Sequence, residues 1–322
     1  MVERHYSDAE LAALAARAPA RMDAAIASAD PATIIDTYGA IEDARRGFAA
    51  TNEEWAALTI AHLVSAHGTL RPSGVLRLER VATIVTGLGL RADELELLGA
   101  VLDGPVNPLR ERISEAALAG DLPAVARAWG EADRLTRLAG AVRNQHISDL
   151  LGHVYREHGA QGLEAALRYA ADHGTFWKAA LPEQAATAPA DLLAATAYFL
   201  AVGADCSLAL IEEHDRFVVE FLDCHCARQI TGARAHGWGV EVVDGPLPLT
   251  YGLDAVSPYQ AHFAVIHGSW AIDLVGAPTP PFDCVGMALG SARCRNYVYK
   301  GAVPARFYEA LGREAPAGAP AV

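Results

Sequence analysis

The sequence predicts an α+β fold that is predominantly helical: a duplicated helical N-terminal region followed by a small antiparallel-sheet domain. Three observations carry this. Capped, Ala-rich segments with helically spaced apolar residues fill the chain to about residue 203. Matches at one constant offset divide most of that stretch into two related units. Beyond residue 205 the pattern changes to short β-branched and aromatic runs between turn residues, and all five cysteines fall there.

Ser7 can cap a first helix, SDAELAALAARA, which Pro19 should end. Asp30-Pro31 is a cap followed by proline at the first helical position, and a long helix should then run to about His67. Gly68 through Ser73 reads as a turn. At an offset of 91 residues, Arg21 matches Arg112, Asp30 matches Asp121, Tyr38-Gly39 matches Trp129-Gly130, and His62, His67 and Gly68 match His153, His158 and Gly159. Residues 1–100 and 101–190 are therefore read as two helical repeat units, 191–312 as a Cys/His-containing α+β domain, and 313–322 as a disordered tail. PEQAATAPA (182–190) reads as a linker and ADLLAATAYFLAVG as a further helix. Cys206–Ile211 and Arg216–Leu222 read as strands around a Glu213-His214-Asp215 turn. Gln260–Ile266 and Trp270–Val275 read as a hairpin turning at His267-Gly268-Ser269, and Tyr297–Tyr299 as a short strand.

A hydrophobic fraction of 52% against 20% charged is enough apolar material for a packed core. No apolar run is long enough for a membrane span, and no signal-peptide core opens the chain, so the expectation is a cytoplasmic protein. A net charge of −13 without a basic cluster argues against nucleic acid and anionic membranes as partners. The expected partner is a small molecule. Of 26 basic residues only Lys178 and Lys300 are lysines, and neither adjoins a phosphate-cradling loop, so a pyridoxal-phosphate Schiff base is not expected. No Walker A loop is present for ATP. Residues 81–92, VATIVTGLGLRA, imitate a strand followed by G-x-G-x-x-A, but they lack βαβ surroundings, so NAD is not expected either.

Three constellations could carry chemistry. His146, Asp149 and His153 share one arc of a helix beside the apolar stripe Ile147, Leu150, Leu151 and Val154; they could bind a metal or move protons, or form a solvated helix edge. His146 aligns with Trp55 rather than a histidine, so the second unit is the one expected to carry any site. The segment Asp223-Cys224-His225-Cys226-Ala227-Arg228 follows the strand FVVEFL. If extended, it puts Cys224 and Cys226 on one face and His225 on the other. Three readings stay open for it: a catalytic thiol activated by His or Arg, a zinc site completed by His262, His153, His267, Cys284 or Cys294, or cysteines packed as small core residues. Tyr259, His262 and His267 in SPYQAHFAVIHG, and Trp177 in HGTFWKAALP, suit a pocket wall or the core.

WGEADRLTRLAGAVRNQHISDLLGHVYREHGAQGLEAAL, with FVVEFLDCHCARQ and the later CRNYVYKG, resembles bacterial proteins that join a helical part to a Cys-containing α+β part. Among these it is similar to aminothiazoline-carboxylate hydrolase-like proteins, over roughly residues 129–300. Where such proteins carry richer Cys clusters, this chain has Gln260-Ala261-His262-Phe263. The resemblance implies a hydrolase or lyase acting on a C–N or C–S bond of a small molecule.

The leading expectation is an enzyme of specialised metabolism with its site between the helical region and the sheet. Cys224 or Cys226 would be nucleophile or ligand and His262 base or ligand; Arg228, His146, His153, Trp177 and Tyr259 would bind substrate. The rival readings are a ligand-binding or metal-sensing protein without catalysis, and a helical scaffold.

Overall fold

Two long helices organise the chain, and side-chain caps set where they begin. The computed structural model describes residues 4–67, 94, 97, 107–283 and 294–321. In it α1 (Asp8–Leu14) and α2 (Ala18–Ser28) lead into α3 (Pro31–His67), and α4 (Pro108–Leu118) leads into α5 (Leu122–His173). The Asp30 carboxylate accepts from the Thr33 N–H at the start of α3, and the Asp121 carboxylate accepts from the Ala124 N–H at the start of α5. Each pairs a backbone donor that the first helical turn leaves open. These are the aspartates that the 91-residue offset aligns, so equivalent caps start equivalent helices.

Contacts between α3 and α5 advance together along both chains, which makes the two helices parallel. Tyr38 meets Trp129 edge-to-face at 6.2 Å, Asn52 Nδ2 donates to Asn144 Oδ1 at 2.9 Å, and His67 stacks on His158 at 3.7 Å. Tyr38 and Trp129 are equivalents, as are His67 and His158. Off the axis, Asn52–Asn144 is matched by Arg143–Glu53, at 2.5 Å. Adding 91 to 52 and 53 gives 143 and 144, so these two contacts are reciprocal. Self-pairing equivalents and reciprocal neighbours mark an isologous interface. The two units thus pack about a pseudo-twofold axis along the helices. His62 and His153 do not meet: His62 packs on Tyr169 at 5.2 Å, and His153 lies against Arg156.

Met22, Ile34, Ile41, Ile113 and Leu135 fill one core between the units. A second core joins Trp55, Leu150, Leu151 and Leu167 to Phe217, Val219 and Phe221 of the sheet, so the α+β region and the helices share their apolar interior. No helix among the described residues is long and apolar enough to cross a membrane.

The expected linker at 182–190 is mostly helix. α6 (Thr175–Ala186) runs through Pro182, because Trp177 and Leu181, one turn apart, are both buried. α7 (Pro189–Tyr198) passes through a π-helical turn (Phe199–Gly203) into β1 (Ser207–Glu212). β1 pairs antiparallel with β2 (Arg216–Asp223), as the sequence suggests, and α8 (His225–Ala235) follows. With β5 (Phe282–Asp283) and β6 (Arg295–Tyr299) they form a sheet of order β1-β2-β6-β5; β3 (Val243–Asp244) and β4 (Ala255–Val256) form a separate pair. The pairing Val219↔Asn296 puts Asn296 on the face that meets the helices. The opposite face, with Val218, Tyr297 and Tyr299, is covered by Phe307 of α9 (Ala305–Glu309).

The hairpin expected at 260–275 is a helical rod instead: Ala261–Ala264, a π-helical Val265–Trp270, and Ala271–Val275. Ser257 and Gln260 bond each other's backbone N–H groups, a capping box, and Gly276 ends the rod at φ 82°. Residues 313–321, read as a disordered tail, fold back: Arg313 bonds Asp273, and the Ala305 N–H donates to Pro320 O at 2.8 Å.

The Asn52–Asn144 pair is buried beside the pseudo-axis. Asn52→Ala leaves the Asn144 amide buried without its partner, an expected loss of about 1–3 kcal/mol in urea unfolding. Adding Asn144→Ala should cost little more, because the orphaned amide is gone; a double mutant whose losses simply add would contradict the pairing.

Candidate functional site

The site begins where β2 ends. Cys224 is extended (φ −142°, ψ 158°) and caps α8, its sulfur accepting from the Ala227 N–H at 3.3 Å. The segment is therefore not extended through Cys226: the helix starts at His225, and Cys226 lies in its first turn. The Cys226 thiol donates to the Cys224 sulfur. That bond, with backbone N–H donors, outweighs burial and pulls Cys224 below the ordinary thiol range. The same bond and burial push Cys226 well above it. Burial also raises Cys206. One residue of the pair thus favours thiolate and the other thiol, as expected when two acids share a proton.

His225, expected to face away from the cysteines, lies against two of them. Its Nε2 lies 2.9 Å from the Tyr259 hydroxyl and 3.5 Å from Cys226 Sγ, and its Nδ1 lies 3.8 Å from Cys206 Sγ. Burial, reinforced by Arg228, pulls it down to about 3, so it is neutral at pH 7. Burial raises Tyr259 well above its usual range, so its proton stays.

Cys224, His225 and Cys226 form part of the wall of a cavity of about 340 Å³ between α3, α6, the 261–275 rod and the sheet. Trp177, Tyr259, His262 and His267 line it too. His262 Nδ1–H donates to Tyr259 O at 2.5 Å and His267 Nδ1–H donates to Thr279 O at 3.0 Å. A carbonyl only accepts, so both protons sit on Nδ1 and both Nε2 atoms carry lone pairs. Burial is the main cause that lowers both histidines, His262 well below its usual range with His267 adding to the effect, and His267 to about 4. The wall also holds three buried polar atoms that have no hydrogen-bond partner among the described residues: Trp55 Nε1, Gln184 Oε1 and Asn296 Oδ1. Asn296 is 1% exposed and Trp55 3%. An orphaned donor and two orphaned acceptors in one apolar wall are costly unless a ligand engages them.

The structure thus gathers Cys224, Cys226, His262, Trp177 and Tyr259. It does not bring the other expected residues to them. Arg228 faces a separate cleft, its guanidinium engaged by Asp223 and by Asp205 O. His146 and His153 do not line the cavity; Asp149, between them, accepts from Gln145 at 3.0 Å. Among the described residues no three His, Cys, Asp or Glu side chains are grouped to hold a metal ion. Cys284 and the 81–92 stretch lie outside the described residues. Trp55, Gln184, Asn296, Cys206 and His225 were not anticipated as neighbours. The readable signals were the Ser257-x-x-Gln260 capping box, which would have made the His262/His267 segment helical, and Cys224 as a cap residue.

No family model, curated protein or solved structure matches the chain.

Buried His262 and His267, with half-buried His225, set a pH dependence. All are neutral in the fold, whereas the unfolded chain protonates them near the ordinary 6.5. Below pH 6.5 the unfolded state binds more protons, so stability should fall as pH drops, with the share of His267 complete near 4, where it titrates in the fold. His267→Asn keeps a donor for Thr279 O and removes one titrating group. Its urea midpoint should fall less steeply than that of wild type over this window; equal slopes would contradict the assignment.

Proposed function

We propose that the cavity is the active site of a thiol-dependent small-molecule enzyme, a hydrolase or lyase acting on a polarised C–N or C–S bond, with Cys224 as nucleophile. The observation that carries this is the Cys224 sulfur: a helix N-cap, hydrogen-bonded by the Ala227 N–H and the Cys226 thiol, facing a cavity with orphaned polar atoms. N–H donors at a helix start favour the thiolate, which is the reactive form.

The chemistry balances with groups already in the wall. The Cys224 thiolate adds to the substrate carbon as the C–N or C–S bond breaks, and the Cys226 thiol gives its proton to the leaving atom. Water then attacks the carbon, its proton returns to Cys226, and Cys224 leaves as thiolate. His262 and His267, neutral with Nε2 lone pairs, accept hydrogen bonds from substrate or water. Trp55 Nε1–H donates to the substrate, and Asn296 Oδ1 accepts from it. A ligand that meets these atoms is compact, largely apolar, and carries at least one acceptor and one donor.

The rate of iodoacetamide alkylation against pH, mapped by mass spectrometry, tests the reading. Cys224 should react at neutral pH with a half-point below the ordinary ~8.5 of a free thiol, while Cys206 and Cys226 stay protected. Cys224→Ser should abolish the fast phase. If Cys224 titrates like a free thiol, or reacts no faster than in urea, the cavity is a binding site without a nucleophile.

A further inference from the structure

A second cleft, of about 480 Å³, opens along the seam between α3 and α5. The guanidinium groups of Arg17, Arg45, Arg137, Arg143 and Arg228 line it, against the carboxylates of Asp205 and Asp223. This concentration of positive charge stands in a chain whose net charge is −13.

The ion pairs orient these arginines without saturating them. Asp205 is shared by Arg17 at 2.6 Å, Arg228 at 3.5 Å and Arg137 at 3.6 Å; Asp133 also holds Arg137 at 2.9 Å and Asp223 holds Arg228. With Glu53 on Arg143, the carboxylates of Asp133, Asp205, Asp223 and Glu53 still cannot fill the five N–H donors that each of these guanidinium groups carries. Asp133 and Glu53, which hold Arg45 and Arg143 at 2.5 Å, are not in the wall, so they fix those heads from behind. Oriented guanidinium groups with donors to spare around one void are the arrangement that binds oxyanions.

The floor of the cleft points the same way. Gly140 of α5 and Gly232 of α8 line it, and a Cβ added to either would meet nothing within 4 Å. Glycine weakens a helix interior relative to alanine. Neither glycine is required by packing, and both widen the cleft.

We propose that this cleft binds a small organic polyanion, a phosphate ester or a di- or tricarboxylate with at least two negative charges. The site is distinct from the thiol cavity and shares with it only the wall of Phe48, Asn52 and His225. It does not rest on the thiol reading.

Isothermal titration calorimetry on the whole chain, at fixed ionic strength, with inorganic pyrophosphate and with citrate as probes, tests it. Wild type should bind at least one probe at a single saturable site; tighter pyrophosphate identifies a phosphate ester, tighter citrate a polycarboxylate. Arg137→Gln should weaken binding by about tenfold or more, since each charged hydrogen bond lost is worth at least that. Gly140→Leu, which keeps every charge and fills the void, should abolish binding while the far-UV dichroism stays unchanged; it decides the matter if Arg137→Gln does not fold. Cys224→Ser should bind as wild type does. Absence of saturable binding by wild type, binding unaffected by Gly140→Leu, or binding lost in Cys224→Ser would overturn the proposal.

Discussion

The site depends on one junction, the turn from strand to helix at Cys224. A helix start leaves backbone N–H groups open, and here the Ala227 N–H is closed by the Cys224 sulfur. Aspartate, serine or asparagine would cap them better than a neutral sulfur, which is a weak acceptor. A thiolate changes that comparison, because an anion is a strong acceptor and is favoured at the positive end of the helix. The junction therefore holds Cys224 below the ordinary thiol range, and Cys226, two residues further on, is held above it by the proton the pair shares.

The histidines around this junction are neutral because burial denies them a charge, and that separates the arrangement from a thiolate–imidazolium pair. His225 carries too little basicity to hold the proton of Cys224. Its role is positional: it fills the space between Cys206, Cys226 and Tyr259, and it forms the partition between the thiol cavity and the arginine cleft. His262 and His267 are fixed by backbone carbonyls, so neither can rotate its lone pair away from the cavity without orphaning a buried N–H.

Much of the architecture was legible. Asp30, read as a cap, does cap its helix, Asp121, which aligns with it at the constant offset, caps another, and the Glu213–Asp215 turn does join paired strands. What local signals could not supply was the outcome of competition between burial and propensity. The run Ala261–Trp270 is buried almost throughout, so no exposed face marks a helical period; the decision lay in a capping box outside the run and in Gly276. Pro182 reads as a break, yet the burial of Trp177 and Leu181 carries the helix past it. The candidate site was legible as a list of side chains, Cys224, Cys226, Tyr259 and His262, but not as a geometry. Arg228 sits two residues from Cys226 in sequence and still turns into a different cleft, because Asp205 and Asp223 hold it there.

The duplication explains why the second unit does not hold the thiol site alone. A pseudo-twofold axis creates two equivalent flanks, and a single α+β region can close a cavity over only one of them. Trp55 and His146 occupy equivalent positions; Trp55 lines the thiol cavity and His146 does not. The first unit, which lacks the His/Asp arc, therefore supplies Asn52 and Trp55 to that wall. The arginine cleft is different, because it lies on the seam. It draws Arg45 and Asn52 from one unit and Arg137, Arg143 and Asn144 from the other. Symmetry gives the seam to both units and each flank to one, so a chain built this way can place one site on the axis and a chemically different one beside it.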